Sequence, residues 1–407
     1  METRTRTKPV VVGLVVLAFL VVGYLSYLRA LDVANIPGLD LMVYREGGSE
    51  LMHNPGGLYA PILGEPFNPG LPFTYPPFAA ALFTALAVLP FWVSFGVVAA
   101  VSAVLGFFMC QDLSQRLMRR FPAAGQWLGV WPLFGLLVIS GPFRDSIMLG
   151  QVNIILTGVI YLALAKSRTM IPFAIVLGLT GSIKLTPLAL FLVPLALGKI
   201  KPILVGGLTF VAAQAITLLI WKDQTIEFWT EAVVDPSRVG GVGYIENLSL
   251  QGLVERLGLP KGVWIVGALA VIALTLFIMV AARKRIDVVA QLGLAAACSL
   301  LISPVTWSHH WVWWPVVAYA WVSLAFLVSG WLRTVILAGV AYLVVFLMLT
   351  PKLVVALFGF DPDGELPAWA YGFDGAFVLI ACALLVIGVA LVRSKAFAKA
   401  PELQPAP

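Results

Sequence analysis

Apolar runs long enough to cross a lipid bilayer follow one another along almost the whole chain, and that repetition constrains the fold before any motif does. A span takes about 20 consecutive apolar residues, and a water-facing surface needs far more charge than this chain carries. Of 407 residues, 60% are hydrophobic and only 11% are charged, and the mean hydropathy is +0.97. These values exclude a soluble domain. They predict an all-α polytopic membrane protein, since a helix satisfies its backbone polar groups within the segment itself.

The first run, "VVVGLVVLAFLVVGYLSYLRAL", covers residues 10–31 and follows Arg4, Arg6 and Lys8. It resembles a signal peptide, but it is too long for the apolar region of one and lacks a small-residue cleavage site. It reads as a retained first span with an internal N-terminus. Residues 76–111 suit two short helices split around Pro90, a residue that breaks helices. Further runs lie near 127–141, 151–166, 171–197, 202–221, 261–282, 288–304, 311–330, 333–350 and 372–393. The total is about twelve transmembrane helices. They form one integral membrane domain over 1–393, followed by a short cytoplasmic tail without a fold at 394–407.

Basic residues cluster at span ends, as the positive-inside rule expects: Lys199 with Lys201, then Arg283 to Arg285, then Arg393, Lys395 and Lys399. The net charge of +6 is therefore membrane anchoring and gives no sign of nucleic-acid binding. Twelve spans leave loops 32–75, 222–260, 303–310 and 351–371 outside. Arg116, Arg119 and Arg120 then fall on the wrong side, unless an interfacial helix holds them or one run between 76 and 166 is re-entrant. Cys110, Cys298 and Cys382 are scattered in apolar runs, with no pairing or ligand spacing.

The polar residues of the outer loops read as one site. The first loop, "LDLMVYREGGSELMHNPGGLYAP", contains Asp40, Tyr44, Arg45, Glu46, Glu50 and His53, and Tyr75 follows. The second, "DPSRVGGVGYIENLSLQGL", supplies Arg238, Tyr244, Glu246, Asn247 and Gln251. Its Asn247-Leu248-Ser249 sequence is also a weak match to a glycosylation acceptor. The third, "SPVTWSHHWVWW", supplies Trp307, His309 and His310. Adjacent histidines on a helix or strand point apart, which disfavours joint metal ligation. Trp311, Trp313 and Trp314 read as an interfacial aromatic belt, which beside a cleft can also stack a sugar. Glu46 and Glu50 read equally well as solvated loop residues, and the acidic turn at 361–365 reads as exposed.

Two polar inserts sit within apolar runs. Lys184 lies in "GLTGSIKLTPLALFLVP", where a buried ammonium costs about 2.5–3.5 kcal/mol unless paired or hydrated. Thr186-Pro187 is placed to end the helix and bring Lys184 towards a cavity, where a cation suits a phosphate. The other insert, "SGPFRDSIMLGQVN", holds Arg144, Asp145, Gln151 and Asn153. An Arg144–Asp145 pair at a helix start is its equal alternative.

No Walker motif or dinucleotide fingerprint is present for a nucleotide. A group-transfer enzyme with an outward-facing site must receive its activated donor through the lipid, and a lipid-phosphate sugar meets that need. Its sugar would meet a carboxylate base on the rim, with cations opposite to stabilise the departing phosphate. A lipid-linked-sugar transporter or flippase is the alternative. A transporter of this size, however, generally shows two similar halves, and the loops and charges here do not repeat.

In order along the chain, "LDLMVYREGGSELMHNPGGLYAP", "LPFTYPPFAAALFTALAVLPF", "LGQVNIIL", "SIKLTPLALFL", "NLSLQGL" and "SPVTWSHHWVWW" resemble glycosyltransferase family 87. These are GT-C-superfamily mannosyltransferases of actinobacteria, and the similarity runs from about residue 10 to 393. The resemblance implies a GT-C-type bundle with its active site in outer-face loops. It also implies a polyprenyl-phosphate mannose donor and inverting α-1,2 transfer to a glycolipid acceptor, a phosphatidylinositol mannoside or lipomannan. By this resemblance Asp40 is the general base, with Glu46 and Glu50 as rivals, and one of His309 and His310 faces substrate. Lys184 holding the phosphate is an electrostatic inference. No cofactor or metal is called for.

Overall fold

A computed structural model describes residues 37–63, 70–122, 129–349 and 368–403. The first apolar run and the acidic turn at 361–365 lie outside these residues. Among them the chain is helical except for one two-stranded antiparallel sheet, β1 (Pro61–Leu63) with β2 (Leu71–Pro72). The first outer loop folds as α1 (Leu39–His53), a short 3-10 turn and this sheet. Helices α2 (Pro77–Ala87) and α3 (Phe91–Arg120) follow, separated at Pro90 as its chemistry requires. Helices α1 and α2 approach so closely at Gly48 that a Cβ there would meet the Phe83 backbone at 2.7 Å.

The insert region folds as α4 (Val130–Ile139) and α5 (Gly141–Leu149), bent by 62° across Ser140. Next come α6 (Asn153–Ala165) and α7 (Ile171–Ile183), a 3-10 turn at Thr186–Phe191, α8 (Leu192–Ala196) and α9 (Ile200–Ile220). The second loop contains α10 (Lys222–Glu227) and α11 (Leu250–Arg256). Helices α12 (Lys261–Ala282) and α13 (Val288–Ile302) precede a 3-10 turn at Ser308–Trp313, then α14 (Trp314–Ala325), α15 (Trp331–Leu349), α16 (Ala368–Arg393) and α17 (Lys395–Ala398).

Helix α13 is the axis of the core. Apolar on all sides, it is buried at almost every residue from Val289 to Leu301. Peripheral helices do the reverse: α9 turns Leu204, Leu208 and Leu219 outward, and α12 turns Val266 and Leu269 outward. A helical bundle that turns apolar side chains outward as well as inward is the arrangement for lipid, and the chain is a multi-pass membrane protein. Five described helices (α3, α9, α12, α15 and α16) are long and apolar enough to cross a membrane, and the bent α4–α5 pair would make six. Other apolar runs are broken into shorter helices, such as α7 and α13, because Lys184-Leu185-Thr186-Pro187 and Ser303-Pro304 end them early. The structure therefore does not contain twelve full-length spanning helices among its described residues.

Arg116, Arg119 and Arg120 close α3, a single helix of 30 residues. Arg116 Nη1 donates to Asp287 Oδ2 at 3.1 Å, beside the basic turn that starts at Arg283. The arginines thus join the other basic clusters at one end of the bundle, and the wrong-side placement expected from twelve simple spans does not arise. Residues 394–403 of the tail pack back on the bundle. Ser394 Oγ accepts from Phe397 N at 3.1 Å, Arg285 lies over the Phe397 ring, and Leu403 N donates to Lys284 O at 2.7 Å. Trp311 and Trp314 are core residues and not part of an interfacial belt. Trp311 packs edge-on against Phe377, and buried Trp314 donates to Ser140 Oγ at 3.2 Å.

Candidate active site

Four chain segments far apart in sequence converge at the end of the bundle opposite the basic clusters. Asp40 lies in the first turn of α1, where the positive end of the helix dipole favours a carboxylate. The α5–α6 turn passes directly beneath it. There Gly150 adopts the left-handed conformation (φ 69°), and a Cβ would strike Leu41 at 2.6 Å. Gln151 N donates back to Ser146 O at 2.8 Å, which ends α5 and aims Gln151 at α1. Helix α7 stops at Ile183, so that Lys184, in extended conformation, leaves the helical path. The segment ahead of the third turn is pinned by an antiparallel bridge between Asn247 and Trp307.

Two polar chains result. In one, Gln151 Nε2 donates to Asp40 Oδ2 at 2.6 Å and approaches His309 Nε2 at 3.3 Å, while Gln151 Oε1 accepts from Tyr44 OH at 2.6 Å. The Tyr44 and Tyr75 hydroxyls are 3.1 Å apart. An amide nitrogen only donates, so His309 Nε2 accepts and its proton resides on Nδ1. In the other, Lys184 Nζ donates to Asn153 Oδ1 at 3.0 Å and to His310 Nε2 at 3.1 Å, and it lies 5.6 Å from the Tyr75 ring centre. His310 is therefore neutral, and burial, reinforced by Lys184 and His309, pushes its pKa well below the usual histidine range. Burial first, and Asp40 among the other causes, pushes both Tyr44 and Tyr75 up, so their hydroxyls stay protonated.

These groups face a cavity of about 760 Å³, roofed in part by β1, β2 and the chain around Gly70. That volume suits a ligand of small-molecule size. Of the residues put forward from sequence, Asp40, Tyr44, Tyr75, Gln151, Lys184, Arg238, Trp307, His309 and His310 line it, and Asn153 adjoins it through Lys184. Both histidines face the cavity, with ring centres 4.7 Å apart, because the Ser308–Trp313 turn is 3-10 and not a regular α-helix or strand.

Four candidates are placed elsewhere. Arg45 donates to the carbonyls of Leu86 and Leu89 and to Ser94 Oγ, capping the end of α2. Glu46 is exposed on the outer side of α1. Arg144 lies within α5 and does not line the cavity. Asn247 is fully buried as a structural hub: Nδ2 donates to Val242 O at 2.7 Å, and Oδ1 accepts from Thr306 N at 2.9 Å. Glu246, put forward beside Asn247 in the second loop, does line the cavity. Its Oε2 accepts from Ser308 Oγ at 3.2 Å, just ahead of the histidines. Asp235 and Tyr244 line the cavity as well, with the Tyr244 ring edge-on to Trp307.

A half-buried carboxylate clamped by an amide, with an ammonium held by neutral partners in the same cavity, can deprotonate one substrate while binding the phosphate of another. No solved structure matches the chain. A polyprenol-phosphate-mannose-dependent alpha-(1-2)-phosphatidylinositol mannoside mannosyltransferase of Mycolicibacterium smegmatis is 29% identical over 398 residues, covering 88% of this chain and 84% of the relative. A polyprenol-phosphate-mannose-dependent alpha-(1-2)-phosphatidylinositol pentamannoside mannosyltransferase of the same organism is 31% identical, covering 68% of this chain and 67% of its own. The Mycobacterium tuberculosis protein of that name is 30% identical over 68% of this chain and 64% of its own. Residues 73–304, more than half the chain, match the profile of glycosyltransferase family 87, and the chain belongs to that family.

Proposed function

We propose that this chain is a polyprenyl-phosphate-mannose-dependent α-1,2-mannosyltransferase. It moves mannose, with inversion, to the 2-hydroxyl of a mannose on a phosphatidylinositol mannoside or lipomannan. The observation that carries the reading is the pairing, in one cavity, of Asp40 clamped by Gln151 with Lys184 held by Asn153 and His310. Asp40 takes the proton of the acceptor hydroxyl as its oxygen bonds to the sugar's anomeric carbon. The bond from that carbon to the phosphate oxygen breaks, and polyprenyl phosphate leaves with the electron pair. Lys184 has three N–H donors, and two are committed to Asn153 and His310. The third is available to the phosphate as its charge develops. Arg238, Trp307 and Glu246 line the same cavity and would contact the acceptor sugar.

The site faces the periplasm from the plasma membrane in this reading. Support comes from charge, since Arg116 joins the Arg283 turn and the C-terminal tail at the end opposite the cavity, and basic ends stay cytoplasmic. The transporter alternative gains nothing from the relatives, which are named as transferases.

The test is transfer of labelled mannose from polyprenyl-phosphate mannose to a phosphatidylinositol mannoside by the purified protein in detergent. Wild type should transfer, and Asp40→Asn should lose about a thousandfold or more in kcat while melting at the wild-type temperature. No transfer by wild type from an authentic donor would remove the enzyme reading. Activity kept in Asp40→Asn but lost in Glu46→Gln would move the base.

A further inference from the structure

Tyr44, Tyr75 and Gln151 line the cavity, yet their side-chain hydrogen bonds are spent on one another, on Asp40 and on His309. Gln151 is 4% exposed and Tyr44 is 1% exposed. Tyr44 lies one helical turn from Asp40 on α1, so both side chains leave the same face. Tyr75 enters from the segment before α2, and Gln151 from the α5–α6 turn.

The order of donors along this chain is forced. Tyr44 has a single hydroxyl proton, and it goes to Gln151 Oε1 at 2.6 Å. The 3.1 Å contact between the tyrosines must then be donated by Tyr75. With Oε1 held by Tyr44, the amide cannot flip, and Nε2 must present both its protons on the other side. There it meets Asp40 Oδ2 at 2.6 Å and His309 Nε2 at 3.3 Å. A flipped amide would set two acceptor oxygens against each other at the shorter of these distances.

We propose that Gln151, its orientation locked by Tyr44 and Tyr75, is a positioning residue that keeps Asp40 ionised and aligned as the base, and holds His309 as the Nδ1-protonated neutral tautomer. The inference rests on the reading of Asp40 as the base. Titratable groups acting on Asp40 include Tyr44 from its own helix, Tyr75 from the segment before α2 and Lys184 from the end of α7, with His309 coupled through the Gln151 amide and Asp235, Arg238, Glu246 and His310 on the same cavity wall. Both tyrosines are held protonated by burial, and Lys184 directs its hydrogen bonds to Asn153 and His310, whereas the Gln151 amide donates to the carboxylate itself. A donor that bonds the carboxylate and is lost on its protonation stabilises the ionised form. Removing it raises the pH at which Asp40 charges.

The experiment is the pH dependence of kcat/KM, and KM for the sugar-lipid donor, in Gln151→Met, Gln151→Glu, Tyr44→Phe and Tyr75→Phe, each checked for wild-type melting behaviour. Gln151→Met should lower kcat about tenfold or more and move the acid limb up by about one pH unit. Its donor KM should stay within about twofold of wild type. Gln151→Glu should move the limb further, because a second carboxylate beside Asp40 opposes its charge. Tyr44→Phe, which leaves the donor but frees the amide to flip, should shift the limb less in the same direction, and Tyr75→Phe least. An acid limb unmoved in Gln151→Met and in Tyr44→Phe overturns the inference, even if both lose activity. Asp40→Asn keeps the two failures apart: turnover in that variant sinks the base itself, whereas a dead Asp40→Asn with an unmoved limb in Gln151→Met sinks only the role given to Gln151.

Discussion

The molecule buries two polar clusters, one at each end of its bundle, and they use charge in opposite ways. At the basic end Asp112 accepts from Arg116 Nε at 2.6 Å, Lys166 Nζ at 2.7 Å and Tyr161 OH at 2.8 Å. Arg116 then bridges to Asp287, which accepts from Tyr319 OH at 2.6 Å and caps α13 through Ala290 N at 2.8 Å. Charges there meet opposite charges, and their fields cancel within the cluster. At the cavity end Asp40 is held by an amide, and Lys184 by an amide and a neutral imidazole. Neutral clamps fix each charge in place, and the attraction between Asp40 and Lys184 acts across the cavity that would hold a ligand. Ion pairs between α3, α6 and α13 serve the fold, and clamped charges serve chemistry.

Substitution should separate the two ends cleanly. Arg116→Met strips both Asp112 and Asp287 of a partner, leaving carboxylates with low exposure under-compensated. It should cost about 3 kcal/mol of stability, read as a fall in melting temperature, while turnover per folded molecule stays at wild type. A loss of turnover without a loss of stability would abolish the contrast. Lys184→Gln should do the reverse. Transfer efficiency from the sugar-lipid donor should fall by about 30-fold, or roughly 2 kcal/mol. Melting should be unchanged or higher, because a buried cation has been removed. A mutant that unfolds with normal donor kinetics would show Lys184 to be structural.

The smallest effect is a pH effect. His310 is held neutral by burial and by Lys184, so its folded pKa lies below its unfolded one. The stability it contributes is complete above the unfolded value of about 6.5 and is lost as pH falls towards the folded one. Between pH 7.5 and 5.5 wild type should lose about 1 kcal/mol from this group alone, and His310→Gln should flatten that part of the melting curve against pH. An equally steep curve in the variant would assign the slope to other groups.

The sequence made the membrane class legible because lipid imposes long apolar runs, and it exposed Lys184 because a cation stands out within one. Tyr44 and Arg45 mark where legibility ended. Both lie in a stretch that reads as a loop, but the stretch is a helix, and helical spacing from Asp40 carries Tyr44 to the cavity and Arg45 away from it to cap α2. Asn247 was misjudged for another reason. Its partners at Pro304 and Thr306 are almost sixty residues distant, a relation that no local pattern records. Among the described residues several apolar runs do not appear as full-length helices, because Pro and polar breaks shorten helices without shortening the apolar run.

Asn247 also bears on how the protein can be produced. It heads an Asn-Leu-Ser acceptor sequence, yet its side-chain amide is wholly buried and bonded on both sides. Folded protein therefore offers nothing there to a glycan-transferring enzyme. In a eukaryotic secretory host, however, glycans are attached to chains that are still unfolded. A sugar tree on Asn247 would then have no space between the second and third loops, and the modified chains could not close the bridge to Trp307 that completes the cavity. Asn247 glycosylation would accumulate in the misfolded fraction, and a host without that machinery avoids the loss.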